Sequence, residues 1–584
     1  MKLTIYKLFR NSAIAAALLM TLSCDKILNL TPQDAVSVPT YFKNETDMEL
    51  YSNQFYPNVF PGGDGIIKEV GDNMIWTPLA EEVSCTRIVP QNGGGWSFTT
   101  LRKINFLLEN VDNCPDKAVV RKYTGVARFF RAVWYSNMMK RFGEVPWIDH
   151  VLSSNDPDLM RPRDSRDFLM DKILEDIDYS IEVFKKDNSQ KSAYRVTWYT
   201  AQAYKSRICL FEGTFRKYHG LEGWEKYLQA AVSAGEALMQ KSNTYGLYTS
   251  GNQPYRDLFT SEDAKTVEVI LARDYDRTAS LSNGVLNTVN TPGQGRVGFT
   301  RRFVNLYLCS DGSRFTDKPG WKTMEFVDEV VGRDPRLAQT IRTSNGLNFT
   351  NCITGYQPLK YVSDADLNST AQSFNDLPLM RMAEVYLNVA EAKAELGTLT
   401  QDDLDKTVNK IRTRAKMPPL SMAWANANPD PYLDNEATGY VNVSGVNKGV
   451  ILEIRRERTI ELVMESQNRY WDLIRWKEGH CINSDFEGIY IPASQMGKAY
   501  DVNGDSKPDI CAYIGGKPSI SDNVSFYDVG KDYKVSEETY GRLLFFQGAG
   551  TKREWNEDRD YFYPIPRDEI NLTNGAITQN NGWN

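Results

Sequence analysis

The sequence predicts a mainly α-helical fold in which paired helices support long irregular loops with few short strands. Three observations predict it. Apolar residues recur every three or four positions in separate blocks. A helix-ending glycine, Gly397, and a helix-opening string at Thr400 stand almost side by side. Two long stretches lack any helical period and are rich in Gly, Asn, Asp, Ser, Thr and aromatic residues.

Taken in order, Lys2, Lys7 and Arg10 precede an apolar run from Ala13 to Leu22 that is too short to cross a bilayer, and Thr21-Leu22-Ser23-Cys24 closes it. This pattern predicts a lipoprotein signal peptide over residues 1–23 and a mature protein that begins at a lipidated Cys24. Each acyl methylene buried in the membrane contributes about 0.8 kcal/mol, so several chains make a stable anchor. Ordinary secretion with an incidental cysteine is the alternative. A short extended leader follows, in which Pro32 keeps Thr31 out of helix.

Tyr123, Ala127, Phe130, Val133, Trp134 and Met138 predict a helix from Tyr123 to Phe142 that Gly143 stops before Pro146. Trp198, Ala201, Tyr204, Ile208 and Phe211 share one face of a second helix. Beyond the turn at residues 220–223, Trp224, Tyr227, Leu228, Ala231, Ala234 and Leu238 form its partner. Leu379, Met382, Ala383, Tyr386, Ala390 and Ala394 make an apolar stripe that ends at Gly397. Thr400-Gln401-Asp402-Asp403 then reads as a capping box for a helix carrying Leu404, Val408, Ile411 and Ala415, ended by Pro418. Such pairs, with alanines permitting close contact, look like tetratricopeptide-type hairpins. The aperiodic stretches, residues 249–374 and 483–556, are too long for connections and too aromatic for disorder, so they are read as the surface on which specificity is built.

Charge and motif content narrow the function. The net charge of −7, with no dense Lys/Arg block, excludes the electrostatic footprint of a nucleic-acid binder. No apolar run after Cys24 reaches the roughly 18 residues of a membrane-spanning helix. Cys85, Cys114, Cys209, Cys309, Cys352, Cys481 and Cys511 are scattered without a C-x-x-C pair, which argues against a disulfide framework or a zinc site. With only His150, His219 and His480, and no HExxH, GxSxG or Gly-rich phosphate loop, the usual routes to hydrolysis and phosphoryl transfer have no support, so the protein is read as a non-enzyme. Arg455, Arg456, Glu457, Arg458, Glu461 and Glu465, continued by Arg469, Asp472 and Arg475, are read as a structural ion-pair ladder in which Arg458 pairs with glutamates three or four residues away.

Five separated strings then give a resemblance: CDKILNLTPQD after the signal; YTGVARFFRAVWYSNMMKRFGEVPWI; LPLMRMAEVYLNVAEAKAELG with VNKIRTRAKMP; ILEIRRERTIELVMESQNRYWDLIRWKEG; and the terminal YFYPIPRDEINLTNGAITQNNGW. Their order and content resemble the SusD/RagB outer-membrane lipoproteins of Bacteroidota. The resemblance implies one SusD-like domain over residues 24–584, with four tetratricopeptide-like hairpins under irregular loops. Its expected parts are an N-terminal part, 24–248, an irregular ligand-face region, 249–378, and a C-terminal RagB/SusD part, 379–584. It further implies a protein anchored in the outer membrane and facing outward, which captures oligosaccharides as the lid of a SusC-like TonB-dependent transporter. A peptide-capturing RagB-type protein and a purely protein-binding helical scaffold stand as alternatives.

Sugar rings stack their C–H faces on aromatic rings while polar side chains bond the hydroxyls. By composition and approximate position in the family's ligand-face loops, the candidate ligand-binding residues are Asp72, Asn73, Trp76, Arg87 and Trp96, then Tyr275, Arg296, Phe299 and Trp321. Packing is the competing explanation for each ring. Asp501, Asn503, Asp505 and Asp509 are spaced like the oxygen donors of a calcium loop, with Ser506 and Ala512 departing from the EF-hand pattern. An Asn/Asp/Gly surface turn explains the string as well. No cofactor is required by the reading, and a calcium ion there would stiffen the loop.

Overall fold

The computed structural model describes residues 41–343, 347–466, 468–531, 533–546 and 553–583. Cys24 and the signal segment lie outside the described residues. The long helices are α1 (Thr99–Asn110), α2 (Lys117–Phe142), α3 (Arg166–Asp187), α4 (Trp198–Tyr218), α5 (Trp224–Met239) and α6 (Met382–Leu396). After them come α7 (Gln401–Lys406), α8 (Val408–Arg414), α9 (Lys448–Glu461) and α10 (Asn468–Arg475). Along the scaffold α2 packs on α3, α4 on α5, α5 on α6 and α6 on α9. Among the described residues, no helix is long and apolar enough to cross a membrane.

Local chemistry explains where these helices start and stop. Asp116 accepts hydrogen bonds from the amides of Ala118 and Val119 at the head of α2, and Gly143, at φ +73°, ends it. The helix begins six residues before Tyr123 because Val119 and Val120 continue the buried stripe. Thr197 and Thr200 form a capping box on α4, and Thr400 and Asp403 form the expected one on α7. Gly397, at φ +75°, closes α6 with its amide bonded to Ala394 O. Close approach needs glycine twice: a Cβ on Gly213 of α4 would overlap Leu228 of α5, and one on Gly235 of α5 would overlap Val389 of α6.

Three readings are corrected. Leu379 belongs to a strand, β4 (Leu377–Arg381), which pairs antiparallel with β2 (Val269–Arg273); pairing with a segment a hundred residues earlier overrides the local helical stripe. The helix after Thr400 is broken at Thr407, whose φ −127° and ψ −93° separate α7 from α8. The ion-pair ladder is tertiary. Glu461 meets Arg336 at 3.1 Å, Arg381 at 2.6 Å and Arg414, and Arg458 bonds Asp472 and Asn388, both at 2.8 Å. Every charged side chain of α9 from Glu453 onward is buried, so partners have to come from the segments packed around it.

The remaining strands, β1 apart, lie in the irregular segments. β1 (Met74–Ile75) pairs antiparallel with β3 (Gly298–Phe299). A three-stranded sheet runs in the order β5 (Phe486–Ile491), β9 (Gly541–Phe545), β8 (Lys534–Val535). A separate parallel pair joins β6 (Ile510–Tyr513) to β7 (Ser525–Asp528). All seven described cysteines are free thiols, six of them buried.

Candidate ligand-binding clefts

Two clefts open beside the β5–β9–β8 sheet. The first, about 580 Å³, is lined by the rings of Trp321, Tyr432 and Tyr490, the cations of Arg301, Arg302, Lys322 and Arg542, and the carboxylates of Glu436, Asp485, Glu487 and Glu537. Gly320 takes a left-handed conformation, φ +74°, and turns the chain into the short helical turn Trp321–Thr323, which leaves the indole partly exposed.

Two buried arginines hold that turn. Arg301 follows the N-cap Thr300 and donates from Nη2 to Trp321 O at 2.9 Å, with its guanidinium 4.8 Å from the indole centroid. Arg542 of β9 donates to Lys322 O at 3.1 Å and to Met324 O at 2.9 Å. Each guanidinium approaches Glu329 to 3.4 Å, and Glu329 also accepts from Tyr356 Oη at 2.6 Å. Arg301 further pairs with Glu487 at 2.9 Å. Burial by itself would weaken the Arg301 cation; Glu329, Tyr356 and Glu487 more than offset it, so the group stays charged. Tyr432 stands edge-on to Trp321, centroids 5.8 Å apart at 85°, and its hydroxyl accepts from Asn305 Nδ2 at 3.1 Å. The result is a corner of two rings fixed by buried charge and rimmed by donors and acceptors, which is the chemistry of a pyranose platform.

The second cleft, about 680 Å³, is lined by Arg296, Lys531 and Lys534, the rings of Tyr533, Phe545 and Phe546, and apolar and glycine residues from 292–295 and 353. Arg296, at φ +54°, donates to Phe349 O at 2.8 Å, Thr350 O at 3.0 Å and Tyr533 Oη at 2.8 Å.

The sequence-predicted residues scatter. Trp321 lines the first cleft and Arg296 the second. Trp76, partly exposed, sits against Gly295 at the edge of the second, where Thr77 N bonds Gly295 O at 2.8 Å. Tyr275 is partly buried and lines neither cleft.

The other five are framework residues, which corrects their assignment to a ligand face. Asp72 is bonded bidentately by Arg469 at 2.6 and 2.8 Å and paired with Arg302 at 3.0 Å. Burial would raise its carboxyl, and the two guanidiniums overcome that and hold it at about 2. Asn73 donates to the buried Glu69 at 3.3 Å. Arg87 pairs with Asp560 at 3.3 Å and lies 4.7 Å from the Tyr563 ring centroid. Trp96 packs edge-on against Phe142, centroids 5.0 Å apart, and Phe299 stacks on Phe303 at 4.7 Å. All five are less than 9% exposed, and Asp72, Arg87 and Trp96 meet partners far along the chain.

Tyr432, Tyr490, Tyr533, Lys531 and Lys534 were absent from the candidates. Their signal was available, since most belong to the aperiodic, aromatic segment after residue 483, already read as functional surface.

The calcium-like string is closed by its own backbone. Asp501 accepts from Gly504 N at 2.8 Å and Ser506 N at 2.7 Å, Asn503 from Asp505 N at 2.9 Å, Asp505 from Lys507 N at 2.9 Å and Asp509 from Val502 N at 2.9 Å. Burial, with Asp501 and Asp505 adding, pushes Asp509 up to about 6. Among the described residues, the three-ligand set with atoms within 4.8 Å of one another is His150, Asp156 and Asp158, not this loop.

Residues 343–583 match the sequence profile of the SusD family. Two SusD-like proteins of Formosa agariphila are similar to the chain: one is 22% identical over 83% of this chain and 95% of its own length, the other 24% over 79% and 90%. A crystal structure of a SusD-like protein from Bacteroides fragilis superposes with a TM-score of 0.66 at 20% identity, covering 94% of this chain and 100% of that one. A second from the same organism, described as a SusD-like carbohydrate binding protein, gives 0.65 at 19%, covering 91% and 99%. Residues 343–583 thus carry the sequence pattern of the SusD family, and the fold is shared almost end to end with SusD-like structures.

Proposed function

We propose that the protein captures oligosaccharides at the outer face of the outer membrane and hands them, chemically unchanged, to a SusC-like TonB-dependent transporter. The lipid on Cys24 is the anchor in this reading, and the Trp321 cleft is the binding surface. The observation that carries it is the Trp321–Tyr432 corner, held by Arg301 and Arg542 and surrounded by hydrogen-bonding groups. A fixed aromatic corner binds without reorganising, which lowers the entropic cost of capture. That a structural relative is described as carbohydrate binding points the same way. Stacking and hydrogen bonding retain a sugar and break no bond.

Calorimetry of the purified protein against a glycan panel tests the reading. A glycan is expected to bind, and Trp321→Ala is expected to weaken it by about tenfold or more. Silence on every glycan with binding of peptides would replace it by peptide capture, and release of product from a bound glycan would overturn the non-enzymatic part. Cys24→Ser should free the protein from the membrane fraction.

A further inference from the structure

We infer that the second cleft selects saccharides carrying negative charge, uronate carboxylates or sulfate esters. The inference rests on the capture reading and narrows its cargo.

The two clefts differ in charge. Around Trp321, cations and carboxylates are mixed, and the buried arginines there already have acidic partners. The second cleft gathers Arg296, Lys531 and Lys534 with no carboxylate among its described lining residues. Asp532 lies outside the described residues. In a chain with 75 acidic and 68 basic residues, three cations in one concavity run against composition.

Arg296 is the most telling of the three. Its Nε, Nη1 and Nη2 each donate one hydrogen bond, all to neutral oxygens. A guanidinium has five N–H donors, so two remain, and among the described residues its hydrogen-bond partners are all charge-neutral. A left-handed backbone at a non-glycine residue is costly and is held here by the Ile353 N to Arg296 O bond of 2.9 Å. The fold thus keeps a planar, permanently charged fork beside Tyr533, Phe545 and Phe546. A fork of this kind matches the paired oxygens of a carboxylate or sulfate, while the adjoining rings take the sugar face. Lys531 and Lys534 add mobile positive charge at the rim, which steers an anionic chain inward and is screened by salt. A volume of about 680 Å³ lies within the usual range for small-ligand sites.

The test is calorimetry on the mature protein with an oligogalacturonate, a sulfated oligosaccharide and a neutral oligosaccharide of matched length, at low and high salt. At least one acidic ligand should bind on the order of tenfold more tightly than the neutral one, with an affinity that falls as salt rises. The two acidic arms separate carboxylate from sulfate recognition. Lys531→Ala combined with Lys534→Ala should erase the preference for the acidic ligand. Arg296→Lys, which keeps the charge and loses the fork, should weaken the acidic ligand more than the neutral one. Equal binding of acidic and neutral ligands, or a preference that survives the double substitution, overturns the inference and leaves glycan capture standing. No binding of any saccharide removes both.

Discussion

The helical scaffold and the loop face use the same arginines and acids to different ends. Within the scaffold, Glu461 is fully buried among Arg336, Arg381 and Arg414, and Arg475 is bonded to Glu391 and Asp472. On the loop face, Arg301 and Arg542 spend some donors on buried acids and the rest on the carbonyls of the Trp321 turn, and Arg296 meets no acid among the described residues of its cleft. Paired charge fixes how helices sit together; charge left partly open fixes where a ligand can. Replacing a buried partner should therefore unfold the protein, and replacing a cleft residue should change binding alone.

The largest effect is expected from Glu461→Ala, which takes one buried acidic partner from each of Arg336, Arg381 and Arg414. Breaking a buried ion pair costs about 3–5 kcal/mol, measurable by chemical denaturation. A loss below about 1 kcal/mol would show that the scaffold does not depend on this network.

Glu69 sharpens the comparison through pH. Burial pushes its carboxyl up to about 7, against the bonds from Asn73 and from Arg469 N that favour the anion. The folded protein therefore holds a proton that the unfolded chain releases between about pH 4.5 and 7, so stability falls as pH rises through that window and the deficit is complete above it. Glu69→Gln removes the deficit: it should stabilise the protein by up to about 3 kcal/mol near pH 8 and by little near pH 4, read from melting curves.

Trp321→Ala comes next. Its tenfold loss of affinity corresponds to about 1.4 kcal/mol and should leave the melting temperature within about 2 °C, since the indole is partly exposed. A large drop in melting temperature would move Trp321 from the face to the framework. The smallest effect is expected from Thr400→Ala, which removes one half of a capping box and should cost about 1 kcal/mol without touching binding.

What could be read from the sequence follows the range of the interactions involved. The capping box at Thr400, the glycine stop at Gly397 and the stripes of α2, α4, α5 and α6 are local, and they stand in the structure nearly where their residues announce them. The helix α3 has the same kind of signal, with Ser165 as its cap and Leu169, Ile173 and Ile177 in register. By contrast, Leu379 looks helical until β2 pairs with it, and Asp72 and Trp96 look like surface residues until Arg469 and Phe142 cover them. Trp321 was legible as a ring in an aperiodic loop, whereas its companion Tyr432 comes from a segment more than a hundred residues later.

By itself the sequence determined the class of the fold, the helices and their ends, and the division between a periodic frame and an aromatic, aperiodic face, because propensity, capping and amphipathic period act over a few residues. Tertiary structure decided which rings and charges remain open, because a side chain is buried or presented only when segments hundreds of residues apart meet. The same arginine that reads as a ligand contact in one loop becomes a core ion pair when an aspartate from the far end of the chain arrives beside it.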